Sequence, residues 1–169
     1  QYQGKPVFVI GGIPGEEVVA EVIRERRQYI AAQVVEVVTS SPHRVAAPCR
    51  YVGECTGCQW QHVSYDHQLT LKREAVVDAL DRIGGLTHVE VLSTLPAEHP
   101  YGYRNHARFT IGPQGRLGFV HRERRRFVDI DECLLMHPWI NQALGQLQGR
   151  CDETTQLSIR YGPDTGSWL

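Results

Sequence analysis

The sequence predicts an α+β fold: a partial antiparallel β-barrel, followed by a cysteine-bearing, mostly antiparallel β domain with one long helix. Three observations lead there. Short Val/Ile/Phe-rich runs recur between Gly/Pro turns. One stretch, from Tyr65 to Ile83, repeats its apolar residues at helical spacing. Cys49, Cys55 and Cys58 crowd into ten residues, with Cys133 far downstream. The 169 residues are 41% hydrophobic and 22% charged with a net charge of -1, which is enough chain to bury a core and shows no overall basicity. No apolar run approaches the roughly 20 residues of a membrane span, so a transmembrane protein is excluded.

The elements follow in order. Residues 5–10, 18–23 and 31–38 read as three strands of a small antiparallel unit, with a hairpin turn at 11–15. Strands this short usually close into a barrel to hide their edges, and three do not complete one, so a further strand is expected upstream of Gln1. Pro42 has no N–H to donate and ends the third strand's ladder. Ser64 reads as the cap of a helix whose stripe is Tyr65, Leu69, Val76, Leu80 and Ile83, and Gly84-Gly85 reads as its stop. Residues 103–111 form a strand with Arg104, His106, Arg108 and Thr110 on one face and Asn105, Ala107, Phe109 and Ile111 on the other. Strands at 116–120 and 127–130 come next, then a short helix opened by Pro138 that runs to Leu147, then a strand at 156–161. A returning strand begins at Ser167. With no initiator Met, no secretory leader and a hairpin abandoned after three residues, both ends read as cuts in a longer protein. The expected division is 1–40, 41–62, 63–94 and 95–169.

The cysteines carry the most chemistry. Their spacing is C-x5-C-x2-C, from Cys49 through Cys55 to Cys58, with Cys133 as a remote fourth. Without a secretory leader, and with an odd total of five, a disulfide framework is a poor reading. Four thiolates select structural zinc or a 4Fe-4S cluster. Structural zinc sites usually pair two short knuckles, whereas a cubane takes one thiolate at each iron corner and so spreads its ligands. The x5 gap and the remote fourth ligand favour the cluster and leave zinc open. The tighter C-x3-C-x2-C of radical enzymes is missing. Cys151, alone between Arg150 and Asp152, reads as an ordinary thiol, and His62, His67 and His137 read as surface or capping residues.

Charge is concentrated locally. Between Arg104 and Arg126 lie seven arginines, Arg104, Arg108, Arg116, Arg122, Arg124, Arg125 and Arg126, against one acid, Glu123. Arginine pairs bidentately with phosphate and stacks on bases, so the segment, with His106 on the same strand face, is a candidate RNA-binding surface. A solvated charged hairpin fits the composition equally well. Of the nearby rings Tyr103, Phe109 and Phe127, Phe109 belongs to the apolar face. Lys5, Arg24, Arg26 and Arg27 are balanced by Glu16, Glu17, Glu21 and Glu25.

These residues also carry a family resemblance. Ser41-Pro42-His43-Arg44-Val45, Pro48-Cys49, Cys55-Thr56-Gly57-Cys58-Gln59-Trp60-Gln61-His62, Gln68-Leu69 and Arg82-Ile83-Gly84-Gly85-Leu86 resemble the iron-sulfur subgroup of the RNA (uracil-5-)-methyltransferases. Gly102-Tyr103-Arg104-Asn105, Gly115-Arg116-Leu117-Gly118-Phe119 and Val128-Asp129-Ile130-Asp131-Glu132-Cys133 continue the match. Thr56 stands where many members have Gly. Residues 1–40 resemble the later strands of a TRAM domain, an RNA-binding barrel. The resemblance implies a 4Fe-4S cluster on Cys49, Cys55, Cys58 and Cys133, and S-adenosylmethionine in a class I methyltransferase domain that is largely absent from this chain. It associates the long helix with that domain. It implies attack of a cysteine on uracil C6 and methyl transfer to C5, in structured RNA, rRNA before tRNA, with no DNA or membrane partner and a cytoplasmic address. Neither a catalytic residue nor a residue binding S-adenosylmethionine is assignable here, so the chain alone is expected to be inactive. The alternative is a non-catalytic, zinc-binding RNA-binding module. Methylthiotransferases also combine TRAM with a cluster, but in the opposite order.

Overall fold

A computed structural model describes every residue except Thr56, Arg122 and Glu123. The chain divides into two units, residues 1–47 with 59–95, and residues 48–58 with 96–169.

In the first unit, the Val/Ile runs become β1 (Val7–Ile10), β2 (Glu17–Glu25) and β3 (Ile30–Thr39). β3 lies in the middle. It pairs antiparallel with β2 and parallel with β1, Val7 standing opposite Ile30. This corrects the expected antiparallel pairing: β1 runs parallel to β3, and residues 11–15 are a crossing rather than a hairpin turn; among the described residues the sheet is open. Local alternation marks the strands, but β1 is apolar on both faces, so its pattern does not choose its neighbour or direction.

What fixes the crossing is Glu16, whose side chain is only 1% exposed. Its carboxylate accepts from the Ile13 and Ser41 N–H groups and receives Arg44 bidentately, Nε and Nη2 each at 2.6 Å. Arg44 Nη2 also donates to the Gly11 carbonyl at 2.7 Å. One ion pair therefore ties the crossing to the segment that leaves β3.

Helix α1 (Tyr65–Arg82) starts at Ser64, but that side chain makes no capping bond. The Gln68 amide instead donates to the carbonyls of Trp60 and Val63, while the Ser64 N–H donates to the His43 carbonyl. The helix stops as expected: Leu86 N–H reaches back to Leu80 and Gly85 N–H to Asp81, with Gly85 at φ +64. Its apolar stripe does not become core. No residue of α1 is buried, and Val76 and Ile83 are 49% and 86% exposed. Arg73 Nε donating to the Val91 carbonyl, Thr94 Oγ1 donating to the Leu69 carbonyl, and His67 stacked on His43 at 3.9 Å fasten it within its unit.

The second unit is an antiparallel sheet of β4 (His106–Ile111), β5 (Leu117–Val120), β6 (Phe127–Asp129), β7 (Gln156–Gly162) and β8 (Ser167–Trp168), in the order β6-β5-β4-β7-β8. β4 begins three residues later than its pattern predicts, because Arg104 leaves the ladder to exchange backbone bonds with Leu135 and His137. Helix α2 (Pro138–Leu147) has Pro138 in its first turn, and His137 Nδ1 accepts from the Trp139 N–H as its cap. Phe109, Leu117, Ile130, Met136, Ile140 and Leu144 form the fully buried centre. Gln148 stitches the α2 end to the sheet, accepting from Leu117 N–H and donating to the Leu117 and Ile130 carbonyls.

Acid weakens the first unit by a defined route. Arg44 holds the Glu16 carboxyl at about 2, below its ordinary 4.5, so the pair's stabilisation is present above pH 4.5 and lost as pH falls towards 2. Burial lowers the His62 pKa from 6.5, so unfolded chains take up that proton first and stability begins to fall below pH 6.5. Thermal melts across this range are expected to show both losses. Arg44→Met, which leaves a buried unpaired carboxylate, is expected to lose about 3 kcal/mol at pH 7. An unchanged melting temperature would contradict the assignment.

Candidate metal centre and nucleic-acid interface

Cys49, Cys55, Cys58 and Cys133 all fall in the second unit although 84 positions separate the outer two. The loop carrying the first three is wound tight: Glu54 and Cys55 N–H groups both donate to the Tyr51 carbonyl, and Val52 N–H to Cys49. Tyr51 anchors it. Its hydroxyl accepts from the Asp131 N–H at 2.9 Å and from Arg50 Nη2 at 2.8 Å, and Arg50 also reaches Asp131 Oδ2 at 2.7 Å. Glu54 pairs with Arg126. Tyr51, Cys55 and Cys133 pack against one hydrophobic core.

Cys133 is held from the other side by α2. Asn141 Oδ1 accepts from the Cys133 N–H at 2.9 Å and Asn141 Nδ2 donates to the Cys133 carbonyl at 3.0 Å. The four thiols share one electrostatic neighbourhood: Cys49 and Cys58 act on Cys55, and Cys58 acts on Cys133. Burial, above all, pushes the Cys55 and Cys133 thiols up; Gly57 N–H at Cys55, and Leu135 and Met136 N–H at Cys133, favour the thiolate, as does Arg104. Soft donors with backbone N–H groups aimed at them suit a thiolate-bound group. No disulfide joins any of the five cysteines. Among the described residues no three His, Cys, Asp or Glu side chains converge on a single metal ion. Cys151 stands apart, its Sγ 3.7 Å from the Leu147 carbonyl.

The structure sorts the arginines. Arg116 donates to Asp129 at 2.8 Å and to Asp131 at 3.0 Å, and Arg126 pairs with Glu54. The acids that pair with them, Glu54, Asp129 and Asp131, lie outside the window from Arg104 to Arg126, whose one acid is Glu123. Arg122 falls outside the described residues. Arg124 and Arg125 are exposed on the β5–β6 connection, where the Arg124 N–H donates to His121 Nδ1. His106 and Arg108 are exposed on β4 and their neighbours Ala107 and Phe109 are buried, as the alternation requires. Arg104 is exposed and acts on the cysteines. His62, expected at the surface, is half-buried with its Nε2 unsatisfied.

Two residues escaped sequence reasoning. Asn141 is a polar, turn-favouring residue in the second turn of an apolar helix, which was the available signal. Arg160 is placed opposite His106 by the β4–β7 register, and only pairing reveals that.

No family model matches the chain. An RNA methyltransferase of Aquifex aeolicus, named as uncharacterized, is 39% identical over 163 residues, 95% of this chain and 38% of that protein. The 23S rRNA (uracil(1939)-C(5))-methyltransferase RlmD of Halomonas elongata is 41% identical over 149 residues, 86% of this chain and 30% of that protein. This chain is homologous to part of these RNA methyltransferases. It spans between 29% and 39% of the length of such relatives. The Pyrococcus abyssi tRNA (uracil-54, C5)-methyltransferase, solved with S-adenosyl-L-homocysteine, superposes with a TM-score of 0.71 at 26% identity, over 96% of this chain and 40% of that one.

Asn141→Ala leaves the Cys133 N–H and carbonyl without these partners. A loss of about 2 kcal/mol is expected, together with several-fold faster reaction of Cys133 with a thiol reagent, followed by mass spectrometry. Unchanged stability and labelling would show that Asn141 does not position this cysteine.

Proposed function

We propose that this chain is the RNA-gripping, cluster-bearing part of an S-adenosylmethionine-dependent RNA uracil-C5 methyltransferase. The observation that carries this is the 41% identity to the Halomonas enzyme, and rRNA is preferred over tRNA because the tRNA enzyme stands at 26%. S-adenosylmethionine would supply the methyl group from a domain outside this chain. No helix of the described residues is long and apolar enough to cross a membrane, and an oxygen-sensitive centre suits a cytoplasmic address.

Cys49, Cys55, Cys58 and Cys133 would hold a 4Fe-4S cluster. It would act as a covalent strap between the loop at 48–58 and the strand end after β6. Methyl transfer has no redox step, so the strap's task is mechanical. It keeps the loop's Tyr51, Arg50 and Glu54 in the network that organises the sheet edge. A uridine within folded RNA has to leave its stack to be methylated, and a rigid basic surface holds the surrounding RNA while it does.

The test uses the intact enzyme containing this chain. Incubation with unmodified 23S rRNA and with tRNA transcripts is expected to give 5-methyluridine in the rRNA digest. Cys133→Ser is expected to lower RNA affinity at least tenfold, whereas Cys151→Ser leaves it unchanged. Product in tRNA alone would overturn the rRNA preference, and no 5-methyluridine in either RNA would overturn the reading.

A further inference from the structure

One face of the five-stranded sheet packs on α2 and the core, and strand alternation decides what stands on the other. β4 contributes His106, Arg108 and Thr110, and β7 contributes Gln156, Ser158 and Arg160; their alternate neighbours Ala107, Phe109 and Ile159 are buried. His106, Arg108 and Arg160 are exposed, and His106 pairs with Arg160 across the ladder. Neither strand puts an Asp or Glu there. The carboxylate on β6, Asp129, is bound by Arg116.

Arg108 is oriented without being neutralised. Its Nε donates to Gln156 Oε1 at 3.0 Å and its Nη2 donates to the same oxygen, an uncharged acceptor. Beside this cationic strip lies Phe127. A Cβ added at Gly118 would stand 2.7 Å from Phe127 Cζ, and one added at Gly112 would also collide with the ring. The ring therefore lies over two glycines, occupying the space of absent side chains, and is half-buried on the sheet surface. Two strand spacings, roughly 10 Å, separate β6 from β4.

We infer that this open face binds an unpaired RNA strand, with a base stacked on Phe127 and phosphates on Arg108 and Arg160. A half-buried ring lying on the sheet surface beside fixed cations suits single-strand recognition, since a base offers its ring face only when unstacked. A duplex would meet the arginines but not the ring. The inference rests on the RNA reading above and adds the strand state and the residues that read it.

Fluorescence anisotropy of the protein with a single-stranded RNA of about a dozen nucleotides, and with its duplex, tests this. Arg108→Gln and Arg160→Gln are each expected to weaken single-strand binding several-fold and to reduce the salt slope by about 0.7. Phe127→Leu is expected to weaken single-strand binding roughly tenfold and to leave duplex binding unchanged. Gly112→Ala, which displaces the ring without removing it, is expected to do the same, with circular dichroism confirming the fold of each variant. Equal binding of single strand and duplex, or binding indifferent to all four substitutions, would overturn the platform while leaving an RNA partner in place. A folded protein that binds neither RNA would overturn both readings.

Discussion

Everything distinctive in the second unit depends on bringing a loop at 48–58 against a strand end near Cys133. The two are far apart in sequence, and closing so long a loop costs chain entropy that a few thiols do not repay unaided. The hydrophobic core supplies the compensation, because Phe109, Ile130, Met136 and Ile140 are buried regardless of the cysteines, and Tyr51, Cys55 and Cys133 pack against that cluster. Polar bonds then set the register: Tyr51 and Arg50 to Asp131 from the loop side, Asn141 to Cys133 from the helix side. Cys55 and Cys133 thus lie against a core that forms from other residues.

The arginines of this unit stand in two kinds of surroundings. Arg50, Arg116 and Arg126 meet carboxylates and brace the loop and sheet edge, each pair being exposed enough to contribute modestly alone and more as a network. Arg108 instead meets the uncharged Gln156, and neither β4 nor β7 carries an Asp or Glu. A count of arginines does not separate the two kinds; their placement in the structure does.

Several elements were legible because they rest on local signals. Pro138 in the first turn of α2, the alternation around Ala107 and Phe109, and the Gly84-Gly85 stop of α1 each act within a few residues. The cysteine spacing likewise showed which four residues to consider. What stayed hidden was non-local. The parallel pairing of β1 with β3 hangs on Glu16 and Arg44, 28 positions apart, and Ser64 looked like a cap because its side chain is suited to one, while Gln68 took the carbonyls nearby. The apolar stripe of α1 was real as a pattern but remains largely exposed. The ion pairs of Arg116 and Arg126 were hidden because Asp129, Asp131 and Glu54 lie outside the window that holds them.

The central claim is that Cys49, Cys55, Cys58 and Cys133 together hold one iron-sulfur cluster. Anaerobic purification followed by iron, sulfide and zinc analysis, with a visible spectrum, tests it most directly. About four irons and four sulfides per chain, with broad absorption near roughly 400 nm, is the expected result. One zinc per chain, with no sulfide and no colour, would contradict it.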